Sequence, residues 1–232
     1  MEMSQDLSRR LKRLRLSGMG ATLPERVVYA KKQKLEYPEF LELVLQDEID
    51  RRDARMLNLR LEESGLDPNQ TLENFDWNVK VTFDRAAVKD LFSLAFLEKS
   101  ENVILMGQVG VGKTHLAQSL GHAAARGGRK VLALRADRLF KTLLQARGDH
   151  STEREMRRLI GVDVLIIDDF GLRKLEADES RDMYELMVER HRRSTTIITS
   201  NRDTKEWVAL FEDSILANSA LDRFAHSSHE VV

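Results

Sequence analysis

Residues Gly107-Gln108-Val109-Gly110-Val111-Gly112-Lys113-Thr114 repeat the spacing G-x-x-x-x-G-K-[ST]. Every residue type in that pattern has a use against phosphate. Glycines let the backbone curl until several N–H groups converge on one anion. Lys113 carries a point charge to β- and γ-phosphates, and the Thr114 hydroxyl suits Mg²⁺. The apolar run Asn102–Met106 precedes the loop and a helical pattern from Thr114 to about Arg126 follows, so a helix N-terminus would face the same anion. In that setting the motif implies ATP with Mg²⁺; a glycine turn without nucleotide is the alternative.

Three further groups have the right chemistry to complete such a site. Val162-Asp163-Val164-Leu165-Ile166-Ile167-Asp168-Asp169 reads as a buried strand ending in two carboxylates. Asp168 is expected to hold Mg²⁺, mostly through water, and Asp169 to polarise the attacking water as general base. Alone, an Asp-Asp pair after a strand is also a turn or a helix cap. Thr195-Thr196-Ile197-Ile198-Thr199-Ser200-Asn201 places Asn201 at the carboxyl end of an interior strand, the ligand side of an open α/β sheet; a plain Ser-Asn turn is the other reading. Arg223, in Leu221-Asp222-Arg223-Phe224, is able to reach a neighbouring subunit's nucleotide, although from its residues alone a surface ion pair is the simpler reading. His115 follows the loop and reads by itself as a packed helix residue; it is assigned here with the nucleotide contacts, as is Phe75 before the core.

The elements that must position these groups change character along the chain. Residues 1–66 read as helices only, residues 67–74 as a linker, and residues 75–232 as the nucleotide-binding domain. In the first part Leu7, Leu11 and Leu14 recur at helical spacing, Gly18 and Gly20 are expected to stop that helix, and Thr22-x-x-Glu25 is expected to cap a second one running to about Lys34. A third begins near Pro38 with an apolar stripe of Leu41, Val44, Leu45, Ile49, Met56 and Leu59, and Ser64-Gly65 ends it. Beyond, short apolar runs at 103–106, 131–134, 162–167, 195–199 and from about His229 alternate with helical patterns. That alternation predicts an α/β domain with a parallel sheet covered on both faces.

Composition bounds the rest. The 232 residues include no Cys, which removes disulfides, thiolate catalysis and Cys-based zinc sites and fits a reducing compartment. No apolar stretch approaches the ~20 residues that span a bilayer, so no membrane partner and a cytoplasmic location are expected. Net charge is −1, but residues 1–34 hold nine Lys/Arg against three Asp/Glu, and residues 35–66 hold nine Asp/Glu against four Arg. Ordinary solvated helix faces explain this; so does a nucleic-acid contact through Arg9, Arg10, Lys12, Arg13 and Arg15.

The four site groups, in this order, resemble the AAA+ ATPases, and in particular their IstB-like/DnaC-like branch related to the DnaA initiator. Gly107–Thr114 with His115-Leu116-Ala117, Leu165-Ile166-Ile167-Asp168-Asp169-Phe170-Gly171, Ile198-Thr199-Ser200-Asn201 and Ala220-Leu221-Asp222-Arg223-Phe224 are similar to that branch's P-loop, Walker B, sensor 1 and arginine-finger segments. So are the entry from Leu11 to Met19 and Leu72–Asp76. The second Asp stands where most AAA+ proteins have Glu. The resemblance implies an AAA+ core with a five-stranded parallel sheet, preceded by a small all-helical DNA- or partner-binding domain. It implies an ATPase helper of insertion-sequence transposition that assembles as a homo-oligomer on double-stranded DNA, with ATP at subunit interfaces, Arg223 acting in trans and a transposase (IstA-like) as partner. It also implies an extra helical element facing DNA, here 136–147, with Arg135, Arg138, Lys141 and Arg147 available. The sequence ends at Val232, within or just after the last strand, so no C-terminal lid is expected and no lid arginine is assigned. A helicase loader of the DnaC type and, from another class, a P-loop small-molecule kinase are the competing readings. The basic first segment favours DNA over a helicase, and the kinase would need an acceptor pocket and an Arg-rich lid.

Overall fold

The computed structural model describes residues 4–77 and 84–232, and the chain divides into two compact units, 1–59 and 60–232. The first unit is helical: α1 (Gln5–Arg13), α2 (Ser17–Gln33) and the start of α3 (Tyr37–Ser64). Ser4 caps α1 by accepting the Leu7 N–H. The expected break at Gly18 and Gly20 does not occur; both lie inside α2, and Thr22 caps nothing, its hydroxyl bonding Gly18 O and Asp47. The reason lies on another helix. Glu48 of α3 is buried, and its Oε2 accepts the N–H groups of Gly18 at 2.6 Å and Met19 at 3.4 Å, supplying from α3 the cap that the Leu16 N-cap position does not make. A Cβ at Gly18 would lie 2.7 Å from that carboxylate oxygen, so glycine here serves close approach rather than termination. Glu48 Oε1 also accepts from Arg51 and Arg52, and these donors hold its pKa down at about 2.

The apolar stripe expected on α3 is mostly not core. Val44 is buried with Leu11 and Met19, whereas Leu41, Leu45, Ile49, Met56 and Leu59 are exposed. A unit this small packs one narrow face of α3, and that face is the one carrying Val44 and Glu48.

The second unit follows the βα alternation read from the sequence. After α4 (Arg85–Leu91) and α5 (Ala95–Glu98) come β1 (Asn102–Met106), α6 (Lys113–Arg126), β2 (Val131–Arg135), α7 (Ala136–Gly148), α8 (Thr152–Ile160), β3 (Val164–Phe170), α9 (Ala177–Arg190), β4 (Thr195–Ser200), a 3₁₀ turn (Thr204–Leu210), α10 (Ser214–Ala225) and β5 (Ser228–Val231). The five strands form one parallel sheet in the order β2-β3-β4-β1-β5. Alternate residues feed opposite faces. Ile104, Leu165, Ile167 and Ile198 pack with α7, α8, α9 and α10, while Ile166 meets α6 at Gly121. Residues 67–74 lie along α6: Gln118 accepts the Asp67 N–H, and His122 and His115 meet the carbonyls of Asp67 and Thr71 at 2.8 Å each.

At the start of β3 and β4 a buried cation ties the sheet to its helices. Arg190, 2% exposed, donates to the carbonyls of Leu159, Ile160, Val162 and Thr195 and to the Thr196 hydroxyl.

Candidate functional site

The order β2-β3-β4-β1-β5 brings the carboxyl ends of β1, β3 and β4 together, which is why motifs about 50 and 90 residues apart in sequence converge. The loop after β1 carries left-handed or positive φ at Gly107 (148°), Gly110 (85°) and Gly112 (95°), then passes directly into α6. Gly112 is the N-cap of α6, and the ring of Phe75 lies against it, 3.6 Å from where a Cβ would stand. A cavity of about 180 Å³ beside the loop is walled by Phe75, Leu105, Val111, Leu116 and Val231, with Gln108 at its polar side. A second, more open cavity of about 440 Å³ is lined by Lys113, Thr114, His115, Asp169, Leu172 and Asn201. The first suits an apolar, flat ring, the second a charged phosphate chain. Val109 forms the exposed tip of the loop between them.

Lys113 Nζ folds back to donate to Gly107 O and Gln108 O, both at 2.8 Å. Burial lowers its pKa, and Asp169 and Asp168 oppose that lowering. Thr114 Oγ1 lies 2.9 Å and 3.2 Å from the two oxygens of Asp168, so the hydroxyl and the carboxylate expected to share a metal are already side by side. Hard oxygen donors of this kind suit Mg²⁺, which keeps waters and phosphate oxygens as most of its ligands. Among the described residues no cluster of three His, Asp or Glu would hold a metal without that help.

Strand β3 runs on through Asp168 and Asp169 to Phe170 rather than stopping before them. Asp169 has φ 57°, and its carboxylate meets Arg135 at 3.5 Å. Asn201 lines the phosphate-sized cavity as expected from its strand. His115 lines it too, and stacks edge-on with Phe75 at 5.3 Å. Arg223 is not with them: it is exposed on α10, near enough to His191 to help lower that histidine's pKa after burial and Arg192.

The basic residues divide. Arg9, Arg10, Lys12, Arg13 and Arg15 are exposed, with Arg9 and Arg10 beside Asp6. Arg138 and Lys141 are exposed on α7. Arg135 and Arg147 are not simply available. Arg135 is paired with Asp137 and Asp169, and Arg147 with Asp182 and Asp178. Sequence reasoning missed Thr199, whose buried hydroxyl touches both aspartates; a hydroxyl between Ile198 and Ser200 in a strand buried on both faces was the signal.

A P-loop cradle on a parallel five-stranded sheet defines the class, and comparison with solved structures agrees. The DnaC helicase loader superposes with TM-score 0.60 at 20% identity over 70% of this chain and 96% of that one. AMPPCP-bound DnaA from Aquifex aeolicus gives 0.57 at 22% identity over 72% and 51%. The fold is that of the AAA+ P-loop proteins. More specifically, residues 9–232 match the family described as IstB-like ATP binding protein, and the chain belongs to that family. A Pseudomonas aeruginosa protein named for ATP binding and insertion sequence IS21 is 38% identical, covering 94% of this chain and 82% of its own length. A Mycobacterium tuberculosis protein named for ATP binding in an insertion sequence is also 38% identical, over 96% and 89%. Among the described residues no helix is long and apolar enough to cross a membrane.

Proposed function

We propose that the protein is a cytoplasmic ATP-hydrolysing switch that assembles as a homo-oligomer on double-stranded DNA and assists a transposase encoded by an insertion sequence. The observation that carries the reading is the convergence of Lys113, Thr114, Asp169 and Asn201 on one phosphate-sized cavity, with Asp168 bonded to Thr114. The relatives' insertion-sequence names support the biological setting.

ATP brings the scissile γ-phosphate and Mg²⁺ neutralises its charge; this chain does the rest. The P-loop N–H groups and Lys113 bind the phosphates, and Phe75 with the apolar cavity takes the base. Thr114 and Asp168 would hold the metal, Asp169 would accept the proton of the attacking water, and Asn201 would position that water. Arg223, exposed and remote from its own cavity, serves the nucleotide of the next subunit. A nucleotide held by two subunits favours their association by linkage. Residues 1–66, with Arg9, Arg10, Lys12, Arg13 and Arg15, and the α7 face with Arg138 and Lys141, contact DNA phosphates without reading sequence.

The test is assembly. Wild-type protein with a non-hydrolysable ATP analogue should form rings or filaments on duplex DNA by electron microscopy, and Lys113→Ala should not. Undiminished assembly by the variant would sink the reading.

A further inference from the structure

The pairing of β3 with β4 slips by one residue at the site. Ile167 pairs with Ile198 and Phe170 with Ser200, so Asp168 and Asp169 together stand opposite the single residue Thr199. This is a β-bulge, a device that leaves one backbone group of the longer strand without a ladder partner and re-aims its side chains. The bulge places Asp169 in the left-handed region at φ 57°, which a residue with a Cβ adopts only at a cost.

Thr199 meets that cost with its side chain. Its hydroxyl is fully buried, and there it accepts the Asp169 N–H at 2.9 Å and donates to Asp168 Oδ1 at 2.5 Å. A hydroxyl has one proton, so the two bonds fix each other: with the proton committed to Asp168, a lone pair remains for Asp169. Valine has the same shape and would fill the strand position without a polar group to satisfy. The hydroxyl is therefore explained by the two aspartates and not by packing.

We propose that Thr199 is a positioning residue that holds the bulge, turning the Asp168 carboxylate toward Thr114 and the metal position and the Asp169 carboxylate toward the phosphate cavity. The proposal rests on reading this cavity as a site of Mg²⁺-dependent ATP hydrolysis.

Thr199→Val removes the hydroxyl and keeps the shape; Thr199→Ser does the reverse. Three quantities separate them in the full-length chain: amide exchange of Asp169 in nucleotide-free protein by NMR, the Mg²⁺ concentration that half-maximally tightens binding of a fluorescent ATP analogue, and ATP turnover. For Thr199→Val, Asp169 exchange should be roughly tenfold faster. Its Mg²⁺ requirement should rise and its turnover fall by about 10- to 100-fold, the usual effect of losing an outer-sphere partner, with analogue affinity in EDTA unchanged. Thr199→Ser should stay near wild type throughout. If Thr199→Val does not fold, Thr199→Ala serves as the hydroxyl-free variant. Wild-type exchange and Mg²⁺ dependence in the hydroxyl-free variant would overturn the proposal, as would a serine variant as impaired as the valine. A wild-type protein without ATP turnover would defeat the hydrolysis reading alone, and the first two measurements would still decide the role of Thr199.

Discussion

Replacing Arg190 by Met should weaken the second unit severely while leaving its nucleotide site intact. Arg190 is buried and, among the described residues, forms no ion pair; desolvation, opposed by the charge of Asp163, brings its pKa down from 12.5 to about 10. That difference corresponds to about 3 kcal/mol spent on keeping the charge inside. Donation to five acceptors, three of them sharing the two Nη1 hydrogens, outweighs it, since a full charge-assisted bond is worth about 1.5–3 kcal/mol. Methionine fills the volume but donates nothing. The acceptors at Ile160 and Val162 are half-buried and can recruit water, whereas Leu159 O, Thr195 O and Thr196 Oγ1 belong to buried residues. Three orphaned acceptors at about 1–1.5 kcal/mol each give a loss of about 4 kcal/mol. Arg190→Lys keeps the charge but reaches fewer acceptors, and should lose about half as much. Urea unfolding followed by tryptophan fluorescence reads this directly, since Trp77 and Trp207 both lie in the second unit. Arg190 grips the starts of β3 and β4, opposite the ends that carry Asp168 and Asn201, so the folded fraction should bind nucleotide as wild type does. A loss below ~1 kcal/mol for the methionine variant, or equal losses for both, would show the reasoning to be wrong.

Other outcomes follow from the same contacts. Glu48 and Asp47 have folded pKa values of about 2 against ordinary values of 4.5 and 3.8, so their contribution to the first unit is present above the ordinary values and is lost as pH falls toward 2. The protection of the Gly18 and Met19 amides, taken relative to the intrinsic exchange rate at each pH, should therefore fall below pH ~4.5, and Glu48→Gln should lower it already at neutral pH and flatten the dependence. Gly65→Ala should cost roughly 2–3 kcal/mol by urea unfolding, because φ is 69° and the new Cβ would stand 2.8 Å from the Ala133 carbonyl oxygen. Arg223→Ala should bind ATP normally yet lose hydrolysis by about 10³-fold or more, as expected of an arginine supplied in trans, and wild-type turnover would exclude that role.

How much of this was legible in the sequence depends on how local the cause is. The P-loop was readable because its glycines, lysine and threonine act within one turn and the following helix. The sheet was readable because parallel strands buried on both faces are rich in apolar and β-branched residues, as Val164–Ile167 and Thr195–Ile198 are. What escaped depends on side chains that reach across the fold. Glu48 caps α2 from thirty residues away, so Gly18 looked like a stop and Thr22 like a cap. The α3 stripe fits helical periodicity, but periodicity records which residues share a face, not whether anything covers it. Arg190 reads as one more charge at a helix end, and Thr199 as one more β-branched strand residue, until their partners are seen.

The position of β1 has a consequence for how the chain is made. Val103 is flanked by Ile197 on one side and His229 on the other, so the strand that leads into the P-loop acquires its neighbours only from β4 and β5, both far downstream of it. During synthesis β1 emerges with both edges unpaired, and loop closure over these separations is slow. An open apolar edge of that kind invites pairing with another chain. The nucleotide cradle thus cannot be assembled by a partial translation product. Its completion requires the chain through β5 to have been made, and a nascent chain held short of β5 would be the form most exposed to aggregation and to chaperone capture.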